Sequence, residues 1–326
     1  MRTVSKALCV AFIVMGSMNL QAQGFPNPQD IPAAQSISSK VIRLDLSGEV
    51  DKNQQPTVEV DVKKDIVYAH RDGMDLHLYV YIPKDTTDPL PCIVYVPGSA
   101  WMKQNLDMAT PNLIRLAARG YVVANVEYRP SSVGKFPAQV QDAKSAIRFM
   151  RKNAATYHVD VDNVFGWGDS SGGHTSLFMG FTQNHPELDT DLYGEYSNKV
   201  NAVVNFFGPS ELVRIPEFQT MKFPGASPEE QLIGANIAEN QDLARKASPI
   251  YYATPDDAPV FMAHGDRDPL VPLHQSDLVA EALDKAGIPY EYYCVLGAGH
   301  GGREFWSDTM LDKIELFLKR YMVGER

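Results

Sequence analysis

The chain has 326 residues and a formal net charge of −10, from 40 acidic and 30 basic side chains. That balance argues against nucleic acid and anionic membrane surfaces as partners and suits a neutral substrate. The length fits one large α/β domain, and no internal repeat, low-complexity tract or long linker divides it.

At the N-terminus Arg2 and Lys6 precede an apolar run from Ala7 to Leu20, followed by Gln21-Ala22-Gln23-Gly24. This order reads as a cleavable secretory signal over 1–23, too short to span a bilayer. Export to a secreted or periplasmic location is expected, with no membrane anchor. Cys9 lies inside the apolar run, the wrong place for lipid attachment. The remaining thiols, Cys92 and Cys294, sit in apolar strand-like runs and read as buried and free. A chain of this size needs no disulfide staple.

Residues 24–64 form an extension rich in Pro, Gln, Ser and Asn, with one apolar patch at Val41–Leu46 that reads as a strand on the domain edge. The α/β domain is expected over 65–326. It opens with a hairpin, Ile66–His70 and Leu76–Ile82 about the turn Arg71-Asp72-Gly73. Pro91–Val96 is an almost unbroken apolar run, the pattern of a parallel strand covered on both faces. It ends in the small-residue loop Gly98-Ser99-Ala100-Trp101, where backbone could approach a ligand closely. Leu113, Ile114, Leu116 and Ala117 have helical spacing, and Tyr121–Pro130 is a second buried strand. A helix is expected from Phe136-Pro137 to about Tyr157-His158, then a turn over Asp160–Asn163.

That turn leads into Val164-Phe165-Gly166-Trp167-Gly168-Asp169-Ser170-Ser171-Gly172-Gly173-His174, apolar strand, Gly-x-Ser-x-Gly and helix in succession. Such an elbow exposes a serine hydroxyl at the top of a sheet and needs glycine where a Cβ would strike a neighbouring element. Ser170 is the candidate nucleophile. Ser171 fits less well because Asp169 stands where the elbow wants glycine. The same residues resemble the nucleophile loop of trypsin-type proteases, but those are β-rich, whereas this chain alternates strands with helices.

Beyond the elbow come a strand at Ala202–Gly208, an irregular segment over 211–248, a strand at Pro259–Gly265, a helix from His274 to Ala286, a strand at Tyr290–Leu296 and a final helix with Met310, Leu311, Ile314, Phe317 and Leu318 on one face. The segment 211–248 is either a small cap or lid insertion or a solvated excursion. The alternation gives an α/β fold with a mostly parallel central sheet covered by helices on both faces. Function in such sheets gathers at the carboxyl ends of the strands.

Three of those ends carry Ser170, Asp268 and His300. A serine hydroxyl needs a base in hydrogen-bond reach, and the base needs a carboxylate to hold its tautomer. Asp268 is preferred over Asp266 because Pro269 and Val271 fix the chain around it. Among eight histidines, His300 alone follows the last strand in a glycine-rich loop that lets the ring swing over the serine; His174 and His264 read as packed residues, and His70 and His77 as strand residues with satisfied nitrogens. The order serine, acid, histidine is that of the α/β-hydrolase fold.

From about Asp65 to Met322 the chain resembles α/β-hydrolases of the hormone-sensitive-lipase-like and bacterial feruloyl/acetyl-esterase group. The resemblance is carried by Gly168–His174, Asn125-Val126-Glu127-Tyr128-Arg129, Phe207-Gly208-Pro209-Ser210, His264–Pro272 and Gly297–Gly302. Where that group usually has His-Gly-Gly-Gly-Trp, this chain has Pro97-Gly98-Ser99-Ala100-Trp101. By that match the backbone N–H groups of Ser99, Ala100 and Ser171 would hold an oxyanion, Trp101 would be a stacking wall for substrate, and Pro97 replaces the histidine that braces the loop. The resemblance implies a secreted serine carboxylic-ester hydrolase acting on a small-molecule or polysaccharide ester, acetyl or feruloyl, with no metal or organic cofactor. Rival readings are an amidase of the arylformamidase type, a peptidase on the same fold, and a non-catalytic binding module. A prolyl-oligopeptidase-type peptidase usually has an aromatic residue after the serine and a propeller domain; here Ser171 follows and no propeller-sized region exists.

Overall fold

The computed structural model describes residues 33–49, 56 and 58–324. The expected signal sequence lies outside them. Nine strands form one sheet: β1 Ile42–Leu44, β2 Val60–Arg71, β3 Met74–Pro83, β4 Leu90–Val96, β5 Val122–Val126, β6 Val159–Asp169, β7 Val203–Phe206, β8 Val260–Gly265 and β9 Tyr290–Val295. Their spatial order is β1-β9-β8-β7-β6-β4-β5-β3-β2. The β2–β3 and β3–β5 pairs are antiparallel and the other pairs parallel. The helices are α1 Thr110–Ala117, α2 Ala138–Lys152, α3 Ala154–Tyr157, α4 Ser171–Phe181, α5 Ile215–Phe218, α6 Pro228–Ile233, α7 Gln241–Lys246, α8 His274–Ala286 and α9 Asp308–Lys319.

The period of two along each strand sorts its side chains between two cores. Cys92, Val94 and Val96 of β4 pack with Ala143 and Ile147 of α2, Leu177 of α4 and Val279 of α8. The intervening Ile93 and Tyr95 pack with Leu113 of α1 and Ile314 and Phe317 of α9. Both faces are therefore covered, which explains why β4 reads as an almost unbroken apolar run and why β5 and β7 are apolar but for Asn125 and Asn205.

Three local expectations change. The domain's regular structure starts before residue 65, since β2 begins at Val60 with an irregularity between Lys63 and Ile66, while the strand expected on the domain edge forms as β1, the edge strand, paired parallel with β9. The expected turn at Asp160–Asn163 is a disturbed stretch inside β6, where pairing with β4 jumps from Leu90↔Val159 to Cys92↔Val164. Asp160 sustains it locally, accepting hydrogen bonds from Asp162 N and Asn163 Nδ2. The long helix breaks at Asn153, whose backbone leaves the helical region (φ −103°, ψ 23°) while its side-chain amide donates to Phe149 O at 2.8 Å.

The segment 211–248 holds α5, α6 and α7. Leu212, Leu232, Ile237, Ala244 and Ala247 are buried in the core on the α2 side of the sheet, so it packs on the domain and is not a solvated excursion. The extension is also tied down, since Ala34 N donates to Asp266 O at 2.6 Å and Ile37 N to Asp277 Oδ2 at 3.2 Å. Both thiols, Cys92 and Cys294, are buried and free.

After β5 the chain is held by Arg129. Its guanidinium donates to Asp142 on α2 at 2.8 Å, to Asp72 in the β2–β3 turn at 2.7 Å and to Ala138 O at 3.1 Å. Asp142 is almost fully buried, so removing the guanidinium would leave an uncompensated charge. Arg129→Ala should cost about 3–5 kcal/mol of unfolding free energy, read as a lower urea midpoint with an unchanged slope.

Candidate active site

The carboxyl ends of β4, β6, β8 and β9 supply the site. At the end of β6 the backbone turns sharply through Ser170, whose φ of 52° and ψ of −123° lie in a region L-residues rarely occupy. Two glycines make this turn possible. A Cβ on Gly168 would stand 2.1 Å from Gly172 O, and one on Gly172 would stand 1.8 Å from Val96 O. Neither clash could be relieved by a side-chain rotation. Ser170 N donates to Phe206 O of β7 at 2.9 Å, and α4 starts at the next residue.

His300 Nε2 lies 2.8 Å from Ser170 Oγ, and His300 Nδ1 lies 2.7 Å from Asp268 Oδ2. Asp268 Oδ1 accepts from the backbone N–H groups of Leu270 and Val271 at 2.8 and 2.9 Å. Burial pushes the Asp268 carboxyl up, but the charge of His300 and the hydrogen bonds of His264 and His300 outweigh it and hold it well below the usual carboxylate range. An ionised Asp268 can only accept, so Nδ1 of His300 carries a proton toward it, and Nε2 faces the Ser170 hydroxyl. The rival acid, Asp266, instead accepts from Gly297 N at 2.7 Å and so anchors the loop that carries His300. Gly265 lets these loops meet, because a Cβ there would be 2.3 Å from Ala298 O.

His264 is buried beside the acid, with Nδ1 2.7 Å from Ser276 Oγ and Nε2 2.9 Å from Val271 O. His174 packs edge-on against Trp101 at 5.0 Å, and burial pushes its imidazole down to about 4. It is a neutral packing residue.

Of the three backbone donors expected for an oxyanion, two are open. The Ala100 and Ser171 N–H groups meet no acceptor among the described residues. Ser99 N–H is committed to Ser171 Oγ at 2.9 Å, which corrects its expected role: Ser99 braces the loop. Trp101 also changes role. It lines the cavity, but with 1% of its surface exposed and His174 against its face it is not an open stacking wall.

The brace that replaces a histidine at Pro97 is Tyr128. Its hydroxyl lies 2.7 Å from Ser99 Oγ, 3.1 Å from Ser171 Oγ and 3.1 Å from Pro97 O, and burial pushes it up to about 12, so it stays protonated. Gln104 joins by accepting from Tyr128 N at 3.0 Å. On the other side Asp169 accepts from Gly98 N at 3.1 Å and from the Tyr95 hydroxyl. Tyr128 and Asp169 sit in the motifs that carry the resemblance, yet contacts spanning 43 and 71 residues leave no local signature.

A cavity that opens partly to solvent lies over Ser170 and His300. The segment 211–248 contributes Gln219, Phe223, Pro228 and Glu229 to its wall. Among the described residues no cluster of three or more His, Cys, Asp or Glu side chains could hold a metal ion. No described helix is long and apolar enough to cross a membrane.

A serine at an elbow, an imidazole and a carboxylate in hydrogen-bonded sequence, and two open N–H groups above a mostly parallel sheet define an α/β-hydrolase of the esterase group. The BD-FAE family model matches residues 78–283, more than half of the chain, and the protein belongs to that family. It is 30% identical over 243 residues to the esterase LipC of Mycobacterium tuberculosis, covering 72% of this chain and 60% of LipC. The bifunctional GH43-CE protein of Bacteroides eggerthii superposes with a TM-score of 0.73 at 33% identity, covering 80% of this chain and 38% of that one. A truncated carbohydrate esterase from gut microbiota superposes with a TM-score of 0.71 at 28% identity, covering 82% and 98%. The chain thus spans less than two thirds of LipC and well under half of the bifunctional protein.

The ionised state of Asp268 carries a pH signature in stability. A carboxyl lowered on folding contributes stability that is fully present above its unfolded value of about 4 and is lost as pH falls toward the folded value. The stability gap between the native protein and Asp268→Asn should therefore be larger at pH 7 than at pH 3.5, as urea titrations at the two values would show.

Proposed function

We propose that the protein is a secreted serine carboxylic-ester hydrolase that removes acetyl or feruloyl groups from plant polysaccharide. The observation that carries the chemistry is the hydrogen-bonded chain from Ser170 Oγ through His300 to Asp268, at 2.8 and 2.7 Å. Family membership and similarity to carbohydrate esterases support the substrate class. The apolar run after Arg2 and Lys6 supports export.

In this reading Ser170 Oγ attacks the ester carbonyl carbon as its proton passes to His300 Nε2. The carbonyl oxygen becomes anionic and accepts from the N–H groups of Ala100 and Ser171. Asp268, already ionised, stabilises the imidazolium. Collapse breaks the bond to the alcohol oxygen, which leaves with the proton from His300. Water, deprotonated by His300, then attacks the acyl-serine and releases the acid, returning the proton to Ser170. Each backbone donor contributes about 3 kcal/mol to the transition state. The segment 211–248 serves as the cap that shapes the substrate side of the cavity.

Ser170→Ala should lower kcat toward a short-chain aryl ester on the order of a millionfold. Retained hydrolysis would contradict the role of Ser170. The native protein should also release acetate or ferulate from xylan; cleavage of aryl esters with neither product would keep the esterase and overturn the polysaccharide substrate. Hydrolysis of no ester at all would favour the binding-module reading.

A further inference from the structure

Three consecutive residues fasten the segment 211–248 to the stretch that carries Asp268. Phe218 stacks on the ring of His274, the first residue of α8, at 3.7 Å. Gln219 Nε2 donates to Leu270 O at 3.0 Å, and Thr220 Oγ1 donates to Pro269 O at 3.1 Å. Beyond them, residues 221–225 make no backbone hydrogen bond to other backbone among the described residues.

The two carbonyls that Gln219 and Thr220 meet belong to the peptide groups that hold the acid. Pro269 O shares a peptide group with Leu270 N, and Leu270 O shares the next one with Val271 N. Both N–H groups donate to Asp268 Oδ1, at 2.8 and 2.9 Å. Two relays therefore run side by side, each from a side chain of the segment through one peptide group to the same carboxylate oxygen. A peptide group that accepts at its oxygen donates more strongly at its nitrogen, because the two hydrogen bonds polarise each other.

This arrangement fixes the direction of the carboxyl group. With Oδ1 held by two donors, Asp268 cannot turn about its Cβ–Cγ bond without breaking both bonds. Oδ2 is thereby kept 2.7 Å from His300 Nδ1. That alignment lets the acid orient the imidazole and stabilise the imidazolium. Asp268 is buried, whereas Thr220 is exposed and Gln219 is half-buried in the wall of the cavity over Ser170. The relays thus carry a constraint from the outside of the molecule to a group shut away from solvent.

We propose that Gln219 and Thr220 are positioning residues for Asp268, acting through the Pro269–Leu270 and Leu270–Val271 peptide groups, so that the seating of the cap sets the aim of the acid at His300. The assignment rests on the ester-hydrolase reading and gives the segment 211–248 a task beyond shaping the cavity. Neither side chain has to touch the reacting atoms.

The test is a double-mutant cycle with 4-nitrophenyl acetate as substrate. Thr220→Val and Gln219→Met keep side-chain size and remove the donors; kcat and KM are measured for each and for both together, with Asp268 present and with Asp268→Ala. With Asp268 present, the combined variant should lose about tenfold in kcat and each single variant about threefold, with KM little changed. With Asp268→Ala the same substitutions should change kcat by less than about twofold, because the group they act through is gone. Thr220→Ser, which keeps the hydroxyl, should restore what Thr220→Val loses, and urea midpoints establish that every variant compared is folded. Equal losses with and without Asp268 would show that the side chains act on the fold or on the substrate directly, and would overturn the proposal. An unchanged kcat in the folded combined variant, or a Thr220→Ser protein as slow as Thr220→Val, would overturn it too. Should the combined variant not fold, the single variants carry the same comparison. Turnover by the native protein that is lost in Ser170→Ala keeps these results separate from failure of the esterase reading; absence of native turnover would remove both.

Discussion

At Ser170 the backbone is held at a positive φ, and the arrangement of the site depends on what holds it there. A conformation of this kind costs on the order of 1–3 kcal/mol and persists only where its surroundings over-determine it. The surroundings here are backbone. The carbonyls of Gly172 and Val96 occupy the space that side chains at positions 168 and 172 would need, and Phe206 O takes the Ser170 N–H. Strands β4, β6 and β7 are thereby drawn against the start of α4. The same contact brings the loop after β4 over the nucleophile, so one packing constraint sets both the hydroxyl and the open N–H groups of Ala100 and Ser171.

A second consequence is that this chain can carry side chains where similar loops have glycine. Ala100 and Trp101 both take positive φ, 53° and 54°, conformations that favour glycine. Their strain is held by polar contacts from two directions. Tyr128 and Gln104 hold Ser99, Asp169 holds Gly98, and Ser131 N donates to Trp101 O at 2.7 Å. Arg129 in turn fixes the chain between Tyr128 and α2. The brace of the oxyanion loop therefore extends through the loop after β5 to the far hairpin, across elements distant in sequence.

The parts of the fold that were legible are those written in a short period. Predominantly apolar runs identified β4, β5 and β7, alternation identified the β2–β3 hairpin, and the spacing of Met310, Leu311, Ile314, Phe317 and Leu318 identified α9. The elbow was legible because its steric demand falls on glycines within five residues. The order of Ser170, Asp268 and His300 was legible because each follows a strand. What stayed hidden depends on long-range partners. The Ser99 N–H turns to Ser171 Oγ, the Trp101 ring turns inward against His174, and Glu229 comes to the cavity wall from an irregular segment with no period. Asp160 rewrote a turn as a disturbed strand by bonding its own neighbours, and the amide of Asn153 broke a helix that the apolar pattern alone would continue.

The chemistry of the site converges on one oxygen. Asp268 holds His300, His300 faces the Ser170 hydroxyl, and the elbow sets that hydroxyl beside two open donors. The most direct measurement is treatment of the folded protein with a fluorophosphonate, followed by mass-spectrometric mapping of the adduct. The account predicts one phosphonyl group per chain, on Ser170, formed slowly when His300 is replaced by alanine. A folded protein that takes up no phosphonyl group, or takes it up on Ser171, would contradict it.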